Sequence, residues 1–312
     1  MKDSSNRDIN YMRLALTSAC NLRCDYCMPK GIDCIKQVND LSFNEFVHIV
    51  EAGAELGINK IRLTGGEPLI YPNLIELINK IKSLPNKISV HITTNGILLK
   101  EMAKELVEAG VDSINISMDS LDRDKYREIT RGGALSRVLN GIKALEDLNF
   151  NSIKINTVLM KGVNDNETDE IISWAIKNSR VLRFIEMMPI GEGRELINSR
   201  GLLAQDVIEN NPLFKNIIPN IDGTALSYKI GSAKIGFITP LKGHFCDRCN
   251  KIRINSKGEL RQCLMSDTTI PLKDVINSRE LLVERMGMGI KEKPESGNEK
   301  GFQDSCMYTI GG

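Results

Sequence analysis

The chain has eight cysteines in 312 residues, and six of them fall into two tight groups. Cys20, Cys24 and Cys27 share one short stretch; Cys246 and Cys249 form a C-x-x-C pair, with Cys263 further on. Cysteines at such spacings can wrap a metal centre. Each group offers three thiolates, whereas structural zinc prefers four protein ligands. An iron–sulfur cluster held by three cysteines keeps one iron open for a substrate or cofactor. Zinc stays an alternative at both places, completed by Cys34 or His48 at the first and by His244 at the second. Cys34 and Cys306 fit neither group and read as ordinary, partly buried thiols.

Two further groups of residues carry chemistry. In Thr64-Gly-Gly-Glu67-Pro68 the paired glycines allow a ligand close to the backbone, and Glu67 can take an ammonium group. Arg13, Arg62, Lys154 and Arg183 recur at one parity on four separate β-rich runs. Any one of them could be a solvated surface charge. Four together predict a polyanionic ligand, with arginine well suited to phosphate. No GxxxxGK[ST] loop is present, so a nucleotide is not bound in the P-loop manner.

The elements that must position these residues alternate regularly. Short β-rich runs cover Met12–Thr17, Lys60–Thr64, Ile88–Thr94, Ser113–Ser117, Ile153–Leu159 and Val181–Glu186. Helical patterns separate them. One opens on a capping box, Ser42-Phe-Asn-Glu45, and another runs from Leu99 to Ala109 and stops at Gly110. Six βα units in succession predict a parallel sheet. Along each run one parity is apolar and the other carries Arg13, Arg62, His91, Thr93, Asn115, Ser117, Lys154, Asn156 or Arg183. Successive side chains point to opposite faces, so the polar parity predicts a wet, concave interior. A doubly wound sheet would bury those charges under helices. The reading is an α/β fold, a partial (βα)6 TIM-like barrel over residues 1–190. An irregular C-terminal region, 191–312, closes the barrel mouth.

Composition sets the outer limits. Hydrophobic residues make up 41% and charged residues 26%, enough for an ordinary core. Lys+Arg number 41 against 40 Asp+Glu, which excludes a polycationic nucleic-acid binder by net charge. No apolar run reaches 18 residues and no signal segment follows the polar start, so a cytoplasmic protein without membrane contact is expected.

C-x3-C-x-Y-C followed by a strand ending in GGEP closely resembles the radical S-adenosylmethionine enzymes. Among them the chain is similar, nearly end to end, to the GTP 3′,8-cyclase family of molybdenum cofactor biosynthesis. It shares Arg13, IRLTGGEPL, TTNG, the Ser117-Met-Asp-Ser strand end, the Lys154-Ile-Asn strand, RFIE-x-M and the terminal Ile310-Gly311-Gly312. The resemblance implies two [4Fe–4S] clusters, on Cys20, Cys24 and Cys27 and on Cys246, Cys249 and Cys263. It implies S-adenosylmethionine contacts at Tyr26, Gly66, Ser117 and Met188. GTP contacts would come from Arg13, Arg62, Thr93, Lys154 and the Lys251-Ile252-Arg253 segment, with Arg183 joining by its charge. The radical derived from the cofactor would take the ribose 3′ hydrogen, and the 3′ carbon would attack C8 of guanine. Gly311 and Gly312 would reach the substrate and help to trigger the reaction. An electron donor and the downstream cyclic pyranopterin monophosphate synthase would be partners, and a homodimer is compatible. Two departures stand out: Lys251 replaces the family's usual arginine, and the region between Leu264 and the tail is short. Other readings are a different two-cluster radical enzyme acting on a peptide or small molecule, and a zinc-stabilised binding module.

Overall fold

The computed structural model describes residues 1–28, 40–240, 245–266, 268–297 and 306–310. Six strands run parallel in chain order: β1 (Tyr11–Ala15), β2 (Lys60–Thr64), β3 (Ser89–Thr94), β4 (Ser113–Ser117), β5 (Ile153–Leu159) and β6 (Val181–Glu186). The sequence places β2, β4, β5 and β6 to the residue. β1 starts one residue earlier than expected, at Tyr11, which proves important for the site.

The crossovers are α1 (Phe43–Glu55), α2 (Leu74–Lys82), α3 (Leu99–Glu108), the pair α4 (Arg123–Ile129) and α5 (Leu135–Asp147), and α6 (Thr168–Lys177). α1 begins as expected: the Ser42 hydroxyl accepts from the Glu45 amide, and the Glu45 carboxylate accepts from the Ser42 amide at 2.7 Å. Two donors that the first turn would leave unpaired are thereby satisfied. After α3 the chain turns at Gly110 with φ of 82°, a left-handed angle that favours glycine.

Strand parity resolves as the sequence requires. Met12, Leu14, Ile61, Leu63, Val90, Ile92, Ile114, Ile116, Ile155, Leu182 and Phe184 are fully buried. They share one core with Phe46 and Ile49 of α1, Leu77 and Ile81 of α2, Leu106 of α3, Ile142 of α5 and Ile172 of α6. Burying each such side chain is worth about 1.5–3 kcal/mol. That apolar face holds the sheet in shape while the other face stays polar.

The C-terminal region does more than close the mouth. It supplies β7 (Asn220–Asp222), β8 (Ala225–Ile230), β9 (Ala233–Ile238), β10 (Lys251–Ile254), β11 (Glu259–Arg261) and β12 (Ile270–Pro271). Among the described residues one open twelve-stranded sheet results, in the order β12-β11-β10-β1-β2-β3-β4-β5-β6-β9-β8-β7. β9 joins β6 and β10 joins β1, both in parallel, so this region widens the barrel wall at both edges. The helices α7 (Glu192–Arg200), α8 (Ala204–Asn210), α9 (Arg279–Lys291) and α10 (Met307–Ile310) complete the chain. α9 packs on α1.

Two neighbours on β5 test this parity. Ile155 is fully buried beneath the helices, whereas Lys154 faces the interior. Ile155→Ala should lower the unfolding free energy by about 2–5 kcal/mol through lost burial and the cavity left behind. Lys154→Ala should not, and urea titration of both variants checks the contrast.

Candidate active site

The first cysteine group lies just past the C-terminal end of β1. Its loop is held by the turn that follows β2. Gly66 N donates to Thr17 O at 2.7 Å and Glu67 N to Ala19 O at 2.9 Å. A Cβ on Gly66 would lie 2.2 Å from Ala19 O, and Gly65 sits at φ 137°. The paired glycines therefore admit a neighbouring loop, the one that carries Cys20, a close approach that the sequence reading did not foresee. Glu67 also has a structural part that the sequence reading did not give it. Its buried carboxylate accepts from Leu69 N (3.0 Å), Thr94 Oγ1 (2.7 Å) and Asn95 N (2.7 Å), bracing the ends of β2 and β3. Burial outweighs these bonds and pushes its acid up to about 7. A carboxylate has room for about four acceptor bonds, so one position remains for an ammonium group.

Tyr26 is anchored by its hydroxyl, which donates to Asp119 Oδ2 at 2.7 Å; Asp119 Oδ1 accepts from Val158 N at 2.8 Å. Burial raises the Asp119 acid to about 6, against those two bonds. Ser117, at the end of β4, stands opposite Asn156 of β5 in register. Burial and then Cys27 push the Cys24 thiol well above its ordinary range, and burial followed by Glu67 pushes Cys20 up to about 11. Leu22 N donates to Cys20 Sγ at 3.4 Å. Crowded, buried thiols with an amide donor in place suit a cationic metal group that deprotonates them.

The second group belongs to β10 and β11. Burial raises Cys263, whose sulfur accepts from Met265 N at 3.3 Å. Burial would raise Cys249 too, but Lys293, the Lys251 amide and the nearby cations bring it below the usual thiol range. Among the described residues no three Cys, His, Asp or Glu side chains close on one metal ion. His48 is engaged elsewhere, its Nδ1 lying 3.1 Å from Ile276 O. Cys34, His244, Gly311 and Gly312 lie outside the described residues.

Beside the second group is a cavity of about 350 Å³, within the usual range of small-ligand sites. Arg13, Arg62, Thr93, Lys154, Arg183, Lys251 and Arg253 line it together with Met188, Cys246, Cys249 and Cys263. Thus the expected phosphate cradle and the second cysteine group share one space. Ile252 is the exception: its side chain is fully buried in the core beneath the strand, so only its main chain can serve a ligand. Tyr26, Gly66, Glu67 and Ser117 stand apart from this lining, around the first cysteine group.

Several lining residues escaped the sequence reading. Tyr11 accepts from Arg62 Nε at 2.6 Å, and Lys60 and Lys251 lie over its ring at 4.7 and 5.8 Å. Burial alone would raise this phenol, yet Arg62, Arg13 and Lys60 bring it down to about 8. Arg62 is clasped further by Ile92 O and Thr93 Oγ1. Arg183 meets Asp222 at 3.4 Å. Asn115 and Asn156, which the strand parity had already placed inward, line the cavity, and each has a buried Oδ1 without a hydrogen-bond partner among the described residues. Such atoms are costly unless a ligand donates to them. Parity would have found Tyr11 and Lys60, each two residues from a chosen arginine.

A partial barrel of parallel strands with a three-cysteine loop after its first strand is the architecture of a radical S-adenosylmethionine enzyme. Residues 14–175 match the radical SAM superfamily model, and residues 180–299 match the model described as Molybdenum Cofactor Synthesis C. The GTP 3′,8-cyclase of Clostridium botulinum strain Langeland is 39% identical over 100% of both chains. That of Alkaliphilus oremlandii is 42% identical over 95% of this chain and 93% of its own. The chain belongs to the GTP 3′,8-cyclase family of the radical SAM superfamily. In fold it is similar to the crystal structure of Streptococcus suis SuiB bound to S-adenosylmethionine, with a TM-score of 0.62 and 16% identity. It covers 65% of that longer protein, and the match takes in 86% of this chain. No described helix is long and apolar enough to cross a membrane.

Lys154 gives the cleanest test of the cradle, because it makes no hydrogen bond or ion pair with described residues. Burial, with Arg183, Arg62 and Lys60 adding to it against Asp222, pulls it down to about 8. The unfolded chain therefore binds more protons than the folded one between about pH 8 and 10.4. This lysine's destabilisation is full below pH 8 and fades as pH rises. A bound polyanion restores its charge. GTP binding at pH 8–9 should take up protons and weaken as pH rises, and Lys154→Gln should reduce the uptake. Calorimetry in buffers of different ionisation enthalpy measures it; equal uptake in both proteins would remove Lys154 from the cradle.

Proposed function

We propose that the protein converts GTP into (8S)-3′,8-cyclo-7,8-dihydroguanosine 5′-triphosphate, an early step of molybdopterin synthesis. The observation that carries this reading is the single cavity that gathers strand cations from both parts of the chain beside Cys246, Cys249 and Cys263. Cys20, Cys24 and Cys27 would hold one [4Fe–4S] cluster and the second group another, each with an open iron. When bound, the clusters and S-adenosylmethionine supply one-electron chemistry that removes hydrogen from the ribose 3′ carbon.

The chain's own residues bind and orient. Arg13, Arg62, Lys154, Arg183, Lys251 and Arg253 would neutralise the triphosphate, and Thr93 would add a hydroxyl. The free oxygens of Asn115 and Asn156 would accept from the nucleoside. Tyr26, Gly66, Ser117 and Met188 would contact S-adenosylmethionine, Gly66 through its main chain, and Glu67 would use its spare acceptor position. Residues 1–190 and 191–312 would act as two units on one sheet. An electron donor, the downstream synthase and a second copy of the chain belong to the same proposal.

The tail supports this reading. Ile310 of α10 is buried with Ile190 and packs with Met188, Leu264 and Met265, three residues that line the cavity. Gly311 and Gly312 would complete the approach to the substrate. One residue appended after Gly312 should nearly stop cyclisation while iron content and GTP binding persist; native turnover would return the tail to a frayed end.

The cysteine groups separate in assay. With anaerobically reconstituted enzyme, dithionite, S-adenosylmethionine and GTP, Cys24→Ala should give no 5′-deoxyadenosine. Cys249→Ser should still give it but form no cyclised product. Cyclisation by Cys249→Ser would make the second group structural and overturn the reading.

A further inference from the structure

Arg7 belongs to the N-terminal arm, outside every strand, yet it is only 7% exposed and borders the cavity. A guanidinium has five N–H donors, and here all five are used. Nε donates to Asp3 Oδ2 at 2.6 Å. Nη1 donates to Cys246 O (2.8 Å) and Glu295 O (2.9 Å), and Nη2 to Pro294 O (2.7 Å) and Lys293 O (3.3 Å). Asp3 fixes the fork from behind, because its other oxygen accepts from the amides of Ser5 and Arg7 at 3.0 and 2.9 Å. One side chain thus ties the arm, the main chain of a cysteine in the second group, and the segment 293–295.

That segment continues the tie. Lys293 is buried, and its Nζ donates to the carbonyl of Gln262, the residue before Cys263. Gln262 is fixed in turn by its donation to Gly289 O at 2.8 Å. A little further on, Gly297 lies against the same loop, where a Cβ would be 2.7 Å from Met265 Cβ and 3.7 Å from Cys263 Sγ. Cys246 and Cys263 sit on separate loops joined only through a β-hairpin. Their spacing is therefore set across Arg7, the segment and Lys293 as well as through the sheet.

We propose that Arg7 and Lys293 are positioning residues for the second cluster, holding the Cys246 loop and the Cys263 loop at the separation its irons require. The inference rests on Cys246, Cys249 and Cys263 being cluster ligands. Arg7 acts through main-chain carbonyls, so its forked shape matters more than its charge. A lysine has three donors on one atom and cannot span both loops.

The test uses full-length protein reconstituted anaerobically: wild type, Cys249→Ser, Arg7→Lys, Arg7→Met and Lys293→Met. Iron and sulfide per chain, the electron paramagnetic resonance spectrum with and without GTP, and 5′-deoxyadenosine formation are measured. Wild type should hold about eight irons and Cys249→Ser about four, as two or one four-iron clusters require. All three latch variants should fall toward the Cys249→Ser value, lose the GTP-dependent spectral change and keep cofactor cleavage. Arg7→Lys should be as deficient as Arg7→Met. Full iron and an unchanged spectrum in Arg7→Met would overturn the latch, and so would rescue by Arg7→Lys. Loss of both clusters together would show general support of the fold and overturn it too. If wild type holds only four irons, the ligand assignment itself fails, and that outcome is distinct from a failure of the latch alone.

Discussion

Like charge crowded into a confined interior is the constraint on which the rest of this structure depends. Arg13, Lys60, Arg62, Lys154, Arg183, Lys251 and Arg253 all point into one cavity. At a few ångströms and reduced dielectric such charges repel by several kcal/mol per pair at the upper bound. Nothing in the interior could hold them there unless the opposite face of the same strands were strongly apolar. It is, and the buried isoleucines and leucines beneath the helices offset the repulsion. Tyr11 also spreads the charge: its ring faces two lysines and its hydroxyl takes Arg62. Asp222 draws off Arg183 and Lys234 at the far edge. A polyanion entering this space finds cations already fixed in position, so little ordering is left to be done on binding.

The same charge bears on the second cysteine group. Cys249 lies between Lys293, Lys251 and Arg253, whose pull exceeds the burial penalty on its thiolate. Lysine at 251 in place of a forked arginine keeps that charge but changes its use. Its ammonium is a point donor set over Tyr11 at 5.8 Å, whereas Arg253 and Arg13, paired across β10 and β1, supply planar forks. In the proposed function, bidentate contact with phosphate would fall to the Arg253–Arg13–Arg62 row, which the register places side by side.

What the sequence made legible was whatever depends on local periodicity. Alternation with period two marked the inward Arg62, Lys154 and Arg183, and the capping box marked the start of α1. The misses were of two kinds, local alternation applied incompletely and contacts that are non-local. Treating Lys251-Ile252-Arg253 as one binding segment ignored the alternation that sends Ile252 into the core. The carbonyl of Ala19 that packs against Gly66 was missed because no local feature announces it. Beginning the first strand at Met12 lost Tyr11. The pairings of β9 with β6 and β10 with β1, and the bonds from Arg7 to a carbonyl 239 residues away, leave no periodic trace. They are fixed by tertiary packing alone.

The register of β10 against β1 also orders the chemistry in space. Tyr11 pairs with Lys251 and Leu14 with Ile254, in parallel. Cys20 follows the C-terminal end of β1, while Cys246 and Cys249 precede the N-terminal start of β10. The two cysteine groups therefore stand toward opposite ends of the barrel wall, a five-residue strand or on the order of 15 Å apart along its direction at ~3.3 Å per residue. The cation-lined interior lies between them. In the proposed function, a substrate held at one end by the second group and along its phosphates by the strand arginines would present its remaining face toward the first. A closed eight-stranded barrel built from one continuous βα repeat would place its loop chemistry at the C-terminal face. Borrowing β10 from the far end of the chain brings a second cysteine group to the other end of the same wall.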